Sequence, residues 1–219
     1  MDENSSEKNE VEFKIITLGN AGVGKTSIIQ RFVCDDFDLN RISTMGVSFS
    51  FRVLKVNKRN LKLKLIDTGG QEKYRSLAVN YFKHADVVLF VFDLNVEKSF
   101  DAIQYWIDLF NENDDGKNIK AKYLIGNKCD LEQNVDQDLI DQLVNKNGLL
   151  YMSTSAKTKN QIDEMFQYIA DELYEYLEKN EKKNSRGNSQ KGKVLSKTEI
   201  KNQKGKKIVV NFCINKKMK

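Results

Sequence analysis

Short runs of apolar residues alternate with longer amphipathic stretches from Val11 onward, and this alternation predicts strands and helices that follow one another along the chain. Two of the runs, 86–94 and 121–126, are almost continuously apolar, as expected of central parallel strands that are covered on both faces. Two others alternate strictly on either side of NKRN, which predicts a hairpin with one exposed polar face. The predicted strands are 13–18, 47–56, 61–66, 86–94, 121–126 and 148–154.

Helices are predicted where apolar residues recur at spacings of three and four, as on the buried face of a helix. The predicted helices are 26–34, 99–110 and 161–177. Strands and helices in this order predict an α/β fold with a six-stranded, mostly parallel sheet flanked by helices.

The chain has 219 residues and a net charge of +5, but that charge is divided unevenly. Residues 181–219 hold 13 Lys/Arg and 2 Asp/Glu, a net charge of +11, whereas the residues before them sum to −6. We therefore expect a flexible N-terminus at 1–10, one folded domain at 11–180 and a basic, largely disordered tail at 181–219.

Composition narrows the class of protein further. The three cysteines are far apart, which argues against a disulfide framework and fits a reducing compartment. One histidine, His84, is too few for most zinc sites. The start of the chain lacks the pattern of a secretory signal, and no run approaches the roughly 18 apolar residues needed to cross a bilayer. These features predict a cytoplasmic protein.

The segment GNAGVGKT at Gly19–Thr26 matches G-x-x-x-x-G-K-[ST] between a predicted strand and a predicted helix. Its backbone N–H groups are expected to surround phosphate oxygens, helped by the helix dipole. Gly22 and Gly24 permit a close approach that a Cβ would block. Lys25 is expected to contact the β- and γ-phosphates, and the Thr26 hydroxyl to bind Mg²⁺. The alternative is a glycine-rich turn that binds no ligand.

The segment DTGGQE (67–72) follows the end of another predicted strand. A carboxylate at such a strand end, here Asp67, is placed to hold Mg²⁺ through water. The N–H of Gly70 is placed to meet a γ-phosphate, and Gln71 to orient an attacking water. By itself the segment is equally consistent with an ordinary turn capped by Asp.

Two further motifs, NKCD at Asn127–Asp130 and TSAK at Thr154–Lys157, each follow a predicted strand. The Asp130 carboxylate can accept hydrogen bonds from the N1–H and the exocyclic amine of guanine. Adenine does not offer that pair, and a site built around hydrogen bonds rejects the analogue lacking them by roughly 10⁴ to 10⁵. The Ala156 N–H is placed to meet guanine O6. Because open α/β sheets bind ligands at the C-terminal ends of their strands, the four motifs together predict a GTP site.

With these four motifs in this order, residues 11–177 resemble the Ras superfamily of small GTPases, and most closely its Rab branch, which implies a P-loop G domain. The stretches similar to Rab-typical segments are ISTMGVSF (42–49), KYRSLA (73–78), YFKHAD (81–86) and LFVFDLN (89–95). The resemblance implies that Thr44 closes on Mg²⁺ and the γ-phosphate, and that Phe37 stacks on guanine.

Motifs and resemblance together predict a site for GTP or GDP with Mg²⁺. The expected nucleotide-binding residues are Ala21, Gly22, Val23, Gly24, Lys25, Thr26, Ser27, Phe37, Thr44, Gly70, Asn127, Lys128, Asp130, Ser155, Ala156 and Lys157. The expected metal ligands are Thr26, Thr44 and Asp67, and the expected catalytic residues are Lys25, Thr44 and Gln71.

Three positions depart from the family pattern. Ile66 stands where Rabs usually carry Trp in an effector-binding aromatic cluster, so the effectors do not follow from the resemblance. Gly69 replaces the usual alanine, which is expected to loosen the hinge of switch II (68–80) by roughly 0.5–1 kcal/mol. With Ala21 in the P-loop and no evident arginine finger in cis, we expect slow hydrolysis, on the order of 10⁻⁴ s⁻¹, until a partner supplies an arginine.

The implied partners are an exchange factor, a GTPase-activating protein and effectors, which would bind switch I (37–47) and switch II (68–80) as the γ-phosphate orders them. A second interpretation, a GTP-binding interaction module that barely hydrolyses, stays open. Nucleic-acid binding rests on the charge of the tail alone and is not favoured, because charge runs are usually solvated.

The tail raises a separate question of membrane contact. Cys213 is followed by six residues, so neither a C-a-a-X box nor a terminal cysteine pair is present and ordinary prenylation is not expected. Lysines and apolar residues around Cys213, with acylation of that cysteine, would give peripheral contact with a cytosolic membrane face. The alternative, which we favour, is a disordered end without an anchor.

Overall fold

The computed structural model describes residues 10–114 and 116–187. Its strands are β1 (Glu10–Leu18), β2 (Val47–Val56), β3 (Arg59–Thr68), β4 (Val87–Asp93), β5 (Ala121–Asn127) and β6 (Leu150–Ser153). Its helices are α1 (Lys25–Cys34), α2 (Arg75–Val79), α3 (Glu97–Asp101), α4 (Ile103–Asn113), α5 (Gln137–Asn147) and α6 (Ile162–Gly187). Short 3₁₀ turns flank α2, at Glu72–Tyr74 and Phe82–His84.

The strands form one sheet in the order β2-β3-β1-β4-β5-β6. β2 and β3 are antiparallel, and all the other neighbouring pairs are parallel. In the central register, Ile15 of β1 lies between Leu65 of β3 and Val87 of β4. The predicted α/β fold with a six-stranded, mostly parallel sheet is therefore confirmed. The parallel arrangement brings the C-terminal ends of β1, β3, β4, β5 and β6 to one edge of the sheet.

Helices cover both faces of the sheet and bury its apolar side chains. On one face α1 and α6 pack together, and the rings of Phe32 and Phe166 stack with their centroids 3.8 Å apart. On the other face α4 contributes the fully buried Trp106 and Phe110. Every residue of β4 is buried, as its nearly continuous apolar run predicts. These two layers hold the strand ends, and hence the loops that follow them, in place.

The prediction of an exposed polar face holds for β3, where Lys62 and Lys64 lie opposite the buried Leu61, Leu63 and Leu65, but is wrong for β2. Phe49, Phe51 and Val53 are 43%, 47% and 48% exposed. Arg52 points to the other face, where its guanidinium lies 4.3 Å from the centroid of the Phe32 ring and donates to the Phe32 carbonyl. Because Arg52 finds its partners on the face that α1 covers, the side chains of β2 that were expected to be buried, Phe49, Phe51 and Val53, lie on the exposed face.

Several element ends also differ from the predicted ones. The hairpin turn is shorter than NKRN, because Asn57 adopts the left-handed φ of 53° that a tight turn requires, and β3 begins at Arg59. The predicted helix 99–110 is divided at Ala102 into α3 and α4. Helix α6 continues to Gly187, past the domain boundary predicted at residue 180, and Glu181 on this extension pairs with Arg59 at 2.6 Å.

Helix α5 is absent from the predicted elements, although its ends carry signals. The Asp136 side chain accepts a hydrogen bond from the N–H of Asp138 and so caps the first turn. Gly148 follows the last turn with a left-handed φ of 63°. Between these ends Ile140 is the one fully buried residue of the helix, so the apolar periodicity is weak there.

Parts of the predicted organisation lie outside the described residues. They are the N-terminal residues 1–9, the tail beyond residue 187, and Cys213 with its predicted membrane contact. Within the ranges that the structure describes, no helix is both long enough and apolar enough to span a membrane.

Candidate functional site

A pocket of about 400 Å³ opens where the loops after β1, β3, β5 and β6 meet, and all four sequence motifs contribute to its wall. The predicted site residues that line it are Ala21, Gly22, Gly24, Lys25, Thr26, Ser27, Phe37, Thr44, Gly70, Asn127, Lys128, Asp130, Ala156 and Lys157. Val23, Asp67, Gln71 and Ser155 are not among its lining residues.

Lys25 begins α1, and its ammonium lies inside the loop formed by residues 19–24, the glycine-rich loop. Its Nζ donates to the carbonyl oxygens of Gly19 and Asn20, both at 2.8 Å. Burial lowers the pKa of Lys25 from 10.5 to about 8, and the Asp67 carboxylate opposes the shift. Because two carbonyl dipoles compensate a buried cation only in part, the loop would attract an anion strongly.

Asn127 ties the glycine-rich loop to the NKCD motif. Its Nδ2 donates to the carbonyl oxygen of Val23 at 2.9 Å, and the residue is buried. Gly24 lies against this amide with a φ of 100°, and a Cβ on Gly24 would come within 2.2 Å of Asn127 Nδ2. Both the backbone angle and the close approach therefore require glycine at position 24. Val23 takes part through its carbonyl group and not as a wall of the pocket.

Thr26, Thr44 and Asp67 form a compact cluster of side-chain oxygens. The Oγ1 atom of Thr26 lies 2.6 Å from Thr44 Oγ1 and donates to Asp67 Oδ2, also at 2.6 Å. Burial raises the pKa of Asp67, and the hydrogen bond from Thr26 opposes that shift. The other carboxylate oxygen of Asp67, Oδ1, is buried without a hydrogen-bond partner. The fold thus assembles the three predicted metal ligands from separate segments.

This oxygen cluster fits Mg²⁺ by its chemistry. Hydroxyl and carboxylate oxygens are hard ligands of the kind that Mg²⁺ prefers, and Asp67 Oδ1 is a buried acceptor that lacks a donor. Across the described residues, no group of three or more His, Cys, Asp or Glu side chains forms an alternative metal site. Mg²⁺ is usually bound by one or two carboxylates together with substrate phosphates, and one buried Asp meets that need.

Asp130 and the loop after β6 form another part of the wall. The Ser155 hydroxyl donates to Asp130 Oδ1, so Ser155 orients the carboxylate from behind. The N–H of Ala156, predicted to meet guanine O6, donates here to Asn127 Oδ1 at 3.3 Å. The arrangement presents one carboxylate to the pocket, and its remaining lone pairs can accept hydrogen bonds from a base.

Arg31 of α1 contacts three segments around the pocket, a role that sequence analysis missed. Its Nε donates to the carbonyl oxygen of Ala156 at 2.9 Å, and its Nη1 donates to that of Asp35 at 2.9 Å. The guanidinium carbon also lies 5.7 Å from the centroid of the Phe37 ring. Arg31 therefore links Phe37, which is predicted to stack on guanine, to Ala156, whose N–H is predicted to meet guanine O6.

Gln71 lies beside the pocket and not in its wall. Its carbonyl oxygen accepts a hydrogen bond from the N–H of Tyr74 at 3.0 Å. Gly70 does line the pocket and packs so closely on the glycine-rich loop that a Cβ would come within 2.3 Å of Ala21 N. Lys128 lines it too, with its Nζ paired to Asp93 at 2.7 Å. The structure therefore brings the predicted metal ligands together but leaves the predicted water-orienting Gln71 outside.

The segment before Thr44 folds over the pocket and supplies wall residues that sequence analysis missed. They are Asp38, Leu39, Arg41, Ile42 and Ser43, and Thr68 and Leu131 join them from other loops. The signal available in the sequence was their position between Phe37 and Thr44, both of which were expected at the site. Leu39 and Ile42 are 76% and 81% exposed, so no core periodicity marks this stretch.

Comparisons with known proteins agree on one family. A family model described as the Ras family matches residues 14–175. The chain is similar to Ras-related protein Rab-13 from Bos taurus, 36% identical over 163 residues that cover 74% of this chain and 79% of the relative. It is also similar to Ras-related protein Rab-8A from Bos taurus, 33% identical over 182 residues, covering 82% and 87%. Ras-related protein Rab-8B from Homo sapiens is 32% identical over 194 residues, covering 88% and 92%.

Proposed function

The chain belongs to the Ras family, and we propose that it is a Rab-like small GTPase that binds GTP or GDP with Mg²⁺, hydrolyses GTP and acts as a switch in membrane trafficking. The observation that carries this proposal is the meeting of Lys25 and Asp130 in one pocket, a cation for phosphate and an acceptor for guanine. Asn127 holds the two loops together. The relatives named Rab-13 and Rab-8A support the Rab-like assignment.

The phosphates are proposed to lie at the N-terminus of α1. Backbone N–H groups of residues 21–26 surround them, and the dipole of α1 favours negative charge at that end. Lys25 is a buried cation whose pKa is lowered to about 8 by burial. A phosphate beside its ammonium stabilises the charged form, so nucleotide and lysine favour each other.

The oxygen cluster of Thr26, Thr44 and Asp67 is proposed to hold Mg²⁺ together with phosphate oxygens. When bound, Mg²⁺ neutralises negative charge on the transferring phosphoryl group. Thr26 and Asp67 belong to the rigid framework, at the start of α1 and on β3. Thr44 belongs to switch I, so its 2.6 Å contact with Thr26 couples that segment to the site.

Guanine is proposed to lie between Phe37 and the loop at Ala156. Asp130 accepts from the N1–H and the exocyclic amine of the base, while Ser155 holds the carboxylate in place. Adenine would leave Asp130 without donors, and such a mismatch at a hydrogen-bonding site costs roughly 10⁴ to 10⁵ in specificity.

Hydrolysis requires Gln71 to orient a water molecule towards the γ-phosphate. Gln71 lies in switch II, which touches switch I through a 2.7 Å hydrogen bond from Gly69 N–H to the Gly46 carbonyl. The γ-phosphate is proposed to order segments 37–47 and 68–80 together, and its loss to release both. An exchange factor, a GTPase-activating protein and effectors are the proposed partners of these segments.

The same relatives favour the cycling GTPase over an interaction module that barely hydrolyses. We place its action in the cytoplasm, where peripheral contact with a cytosolic membrane face is the alternative to an unanchored C-terminal tail. Contact through the basic tail stays a prediction, because residues 188–219 lie outside the described part of the chain. Nucleic-acid binding is not favoured, because nothing but the charge of that tail suggests it.

Single-turnover hydrolysis by the full chain loaded with GTP and Mg²⁺ tests the proposal. We expect Gln71→Leu to lower the rate about tenfold or more, because the water loses its orienting group. The affinities for GTP and GDP should not change, since Gln71 does not line the pocket. The matched control is Gln137→Leu on α5, an exposed glutamine outside the pocket. An unchanged rate for Gln71→Leu would refute its role, and equal affinity for ATP and GTP would refute the GTP site.

A further inference from the structure

Arg41 lines the same pocket as Lys25 and Thr44. It stands three residues before Thr44, on the segment that folds over the pocket. Sequence analysis identifies no arginine finger in cis, because spacing along the chain does not show that this segment reaches the phosphate-binding loop. The tertiary structure places an arginine in the wall of the pocket that this loop also lines.

The guanidinium of Arg41 is incompletely partnered. Its Nε is buried and has no hydrogen-bond partner. Within the described residues, the one ion pair of Arg41 joins Nη2 to Asp36 Oδ2 at 3.6 Å. The Asp36 side chain is 61% exposed, so water competes for this pair and it contributes little. A guanidinium in this position gains hydrogen bonds when an anion enters the pocket.

We propose that Arg41 is a catalytic residue, an arginine finger supplied in cis that donates to the γ-phosphate oxygens of bound GTP. This rests on the proposed function, since it requires GTP in this pocket. A planar guanidinium matches two phosphate oxygens with parallel N–H groups, which a lysine cannot do. Lys25 and Arg41 then bring positive charge from two separate segments, the glycine-rich loop and switch I.

The reaction that Arg41 assists is hydrolysis of the γ-phosphoryl group. A bond forms between the water oxygen and the γ-phosphorus, and the bond from that phosphorus to the β–γ bridging oxygen breaks. The bridging oxygen leaves on GDP with the electron pair, while one water proton stays on the inorganic phosphate and the other is released. Charge shifts during bond breaking, and a guanidinium in reach stabilises it more in the transition state than before.

An arginine in cis changes the expected rate and its regulation. GTPases with such an arginine turn over at about 10⁻² s⁻¹, against about 4 × 10⁻⁴ s⁻¹ for those that lack one. We therefore expect the wild-type chain to reach the faster range without a partner. A GTPase-activating protein then needs only to order the switch segments and does not need to supply an arginine.

Single-turnover hydrolysis of the full chain with GTP and Mg²⁺ tests the role of Arg41. Arg41→Ala should hydrolyse GTP about 20-fold more slowly than the wild type. Arg41→Lys should be nearly as slow, because a lysine keeps the charge but lacks the two parallel N–H groups of the guanidinium. Arg59→Ala is the matched control, since it removes an arginine that pairs with Glu181 outside the pocket. Affinity for a fluorescent GDP should not change in Arg59→Ala, and in the two Arg41 variants it should fall far less than the hydrolysis rate, because GDP has no γ-phosphate.

A second measurement does not depend on turnover. Aluminium fluoride beside GDP takes the place of the transferring phosphoryl group, and Trp106, the single tryptophan of the chain, can report its binding. The Trp106 Nε1 donates to Asn20 Oδ1 of the glycine-rich loop at 3.0 Å. We expect aluminium fluoride to change the fluorescence of the GDP-loaded wild type without a partner protein, and Arg41→Ala to lose this change.

The outcomes separate the two proposals. Equal hydrolysis rates for the wild type and Arg41→Ala, or no response of the wild type to aluminium fluoride, would overturn the cis arginine. GTP binding and the Gln71→Leu effect would then leave the proposed function standing. A wild-type chain that does not bind GTP would overturn the proposed function, and the cis arginine with it.

Discussion

The guanidinium of Arg31 donates from Nε to the carbonyl oxygen of Ala156 at 2.9 Å, joining two residues that lie 125 positions apart in the chain. The same side chain lies over the ring of Phe37. Phe37 and Ala156 are the proposed contacts of guanine, so Arg31 determines the gap between them without lining the pocket itself.

Arg31→Ala should accelerate the release of GDP about tenfold, because hydrogen bonds from a charged donor typically contribute about 1.5–3 kcal/mol. Arg31→Lys should be intermediate, since it keeps the charge but cannot reach Ala156 and Asp35 at once. The dissociation rate of a fluorescent GDP measures this, with Arg59→Ala as the control. A release rate equal to that of the wild type would show that Arg31 does not position the base site.

Asp130→Asn should exchange guanine specificity for xanthine specificity. The amide oxygen of Asn still accepts from N1–H, but its NH₂ group faces the exocyclic amine of guanine, whereas xanthine offers a carbonyl oxygen there. GTP affinity should fall by several orders of magnitude, up to roughly 10⁴, while affinity for xanthosine triphosphate rises. Competition between the two nucleotides measures the change. Retained preference for GTP would place the base elsewhere.

Lys25→Met should stabilise the nucleotide-free protein and abolish its affinity for GDP. The ammonium is buried and its pKa is lowered to about 8, so charge at pH 7 costs folding free energy that a methionine does not. We expect the free energy of unfolding in urea to rise by about 1–3 kcal/mol. Lys55→Met, at an exposed position of β2, is the control. A more stable variant that still binds GDP would contradict the role of Lys25.

Gly69→Ala should separate switch I from switch II. A Cβ on Gly69 would lie 2.8 Å from the Thr44 carbonyl oxygen and 3.1 Å from that of Gly46. Backbone atoms cannot move aside as a flexible side chain can, so switch I must shift, despite the stiffer backbone that alanine gives. We expect trypsin to cleave after Arg41 several-fold faster in the GDP-loaded variant. Equal cleavage rates would mean that the loop accommodates the methyl group.

Tyr123 should make stability depend on pH in the alkaline range. Burial raises the pKa of Tyr123 above 10, and a hydrogen bond to Glu172 adds to the shift. The folded state thus holds the proton more tightly, so this contribution to stability is complete below pH 10 and is lost as pH rises further. Relative to Tyr123→Phe, the wild type should lose about 1.4 kcal/mol per pH unit above pH 10.

Urea unfolding of both proteins between pH 8 and about 11.5 measures this difference. Tyr176→Phe, which removes the hydroxyl of an exposed tyrosine on α6, is the control. Parallel pH profiles for the wild type and Tyr123→Phe would contradict the expectation.

The elements that sequence analysis found are those with strong local signals. The nearly continuous apolar run of β4 is buried along its whole length, and the glycine-rich motif lies between β1 and α1 as predicted. Helix α5 was missed because only Ile140 is fully buried, which leaves a weak periodic signal. The face of β2 was assigned wrongly because its alternation is the same in either orientation, and only the partners of Arg52 decide between them.

The sequence by itself determined the order of strands and helices and the chemistry of the four motifs, because apolar spacing, glycine and short polar strings act over a few residues. Only the tertiary structure decided what meets across long separations. Packing of the strands, helices and loops brings Thr26 within 2.6 Å of Asp67, places Arg31 against Ala156 and puts Arg41 in the wall of the pocket. Such contacts depend on packing of the whole domain, which no local pattern encodes.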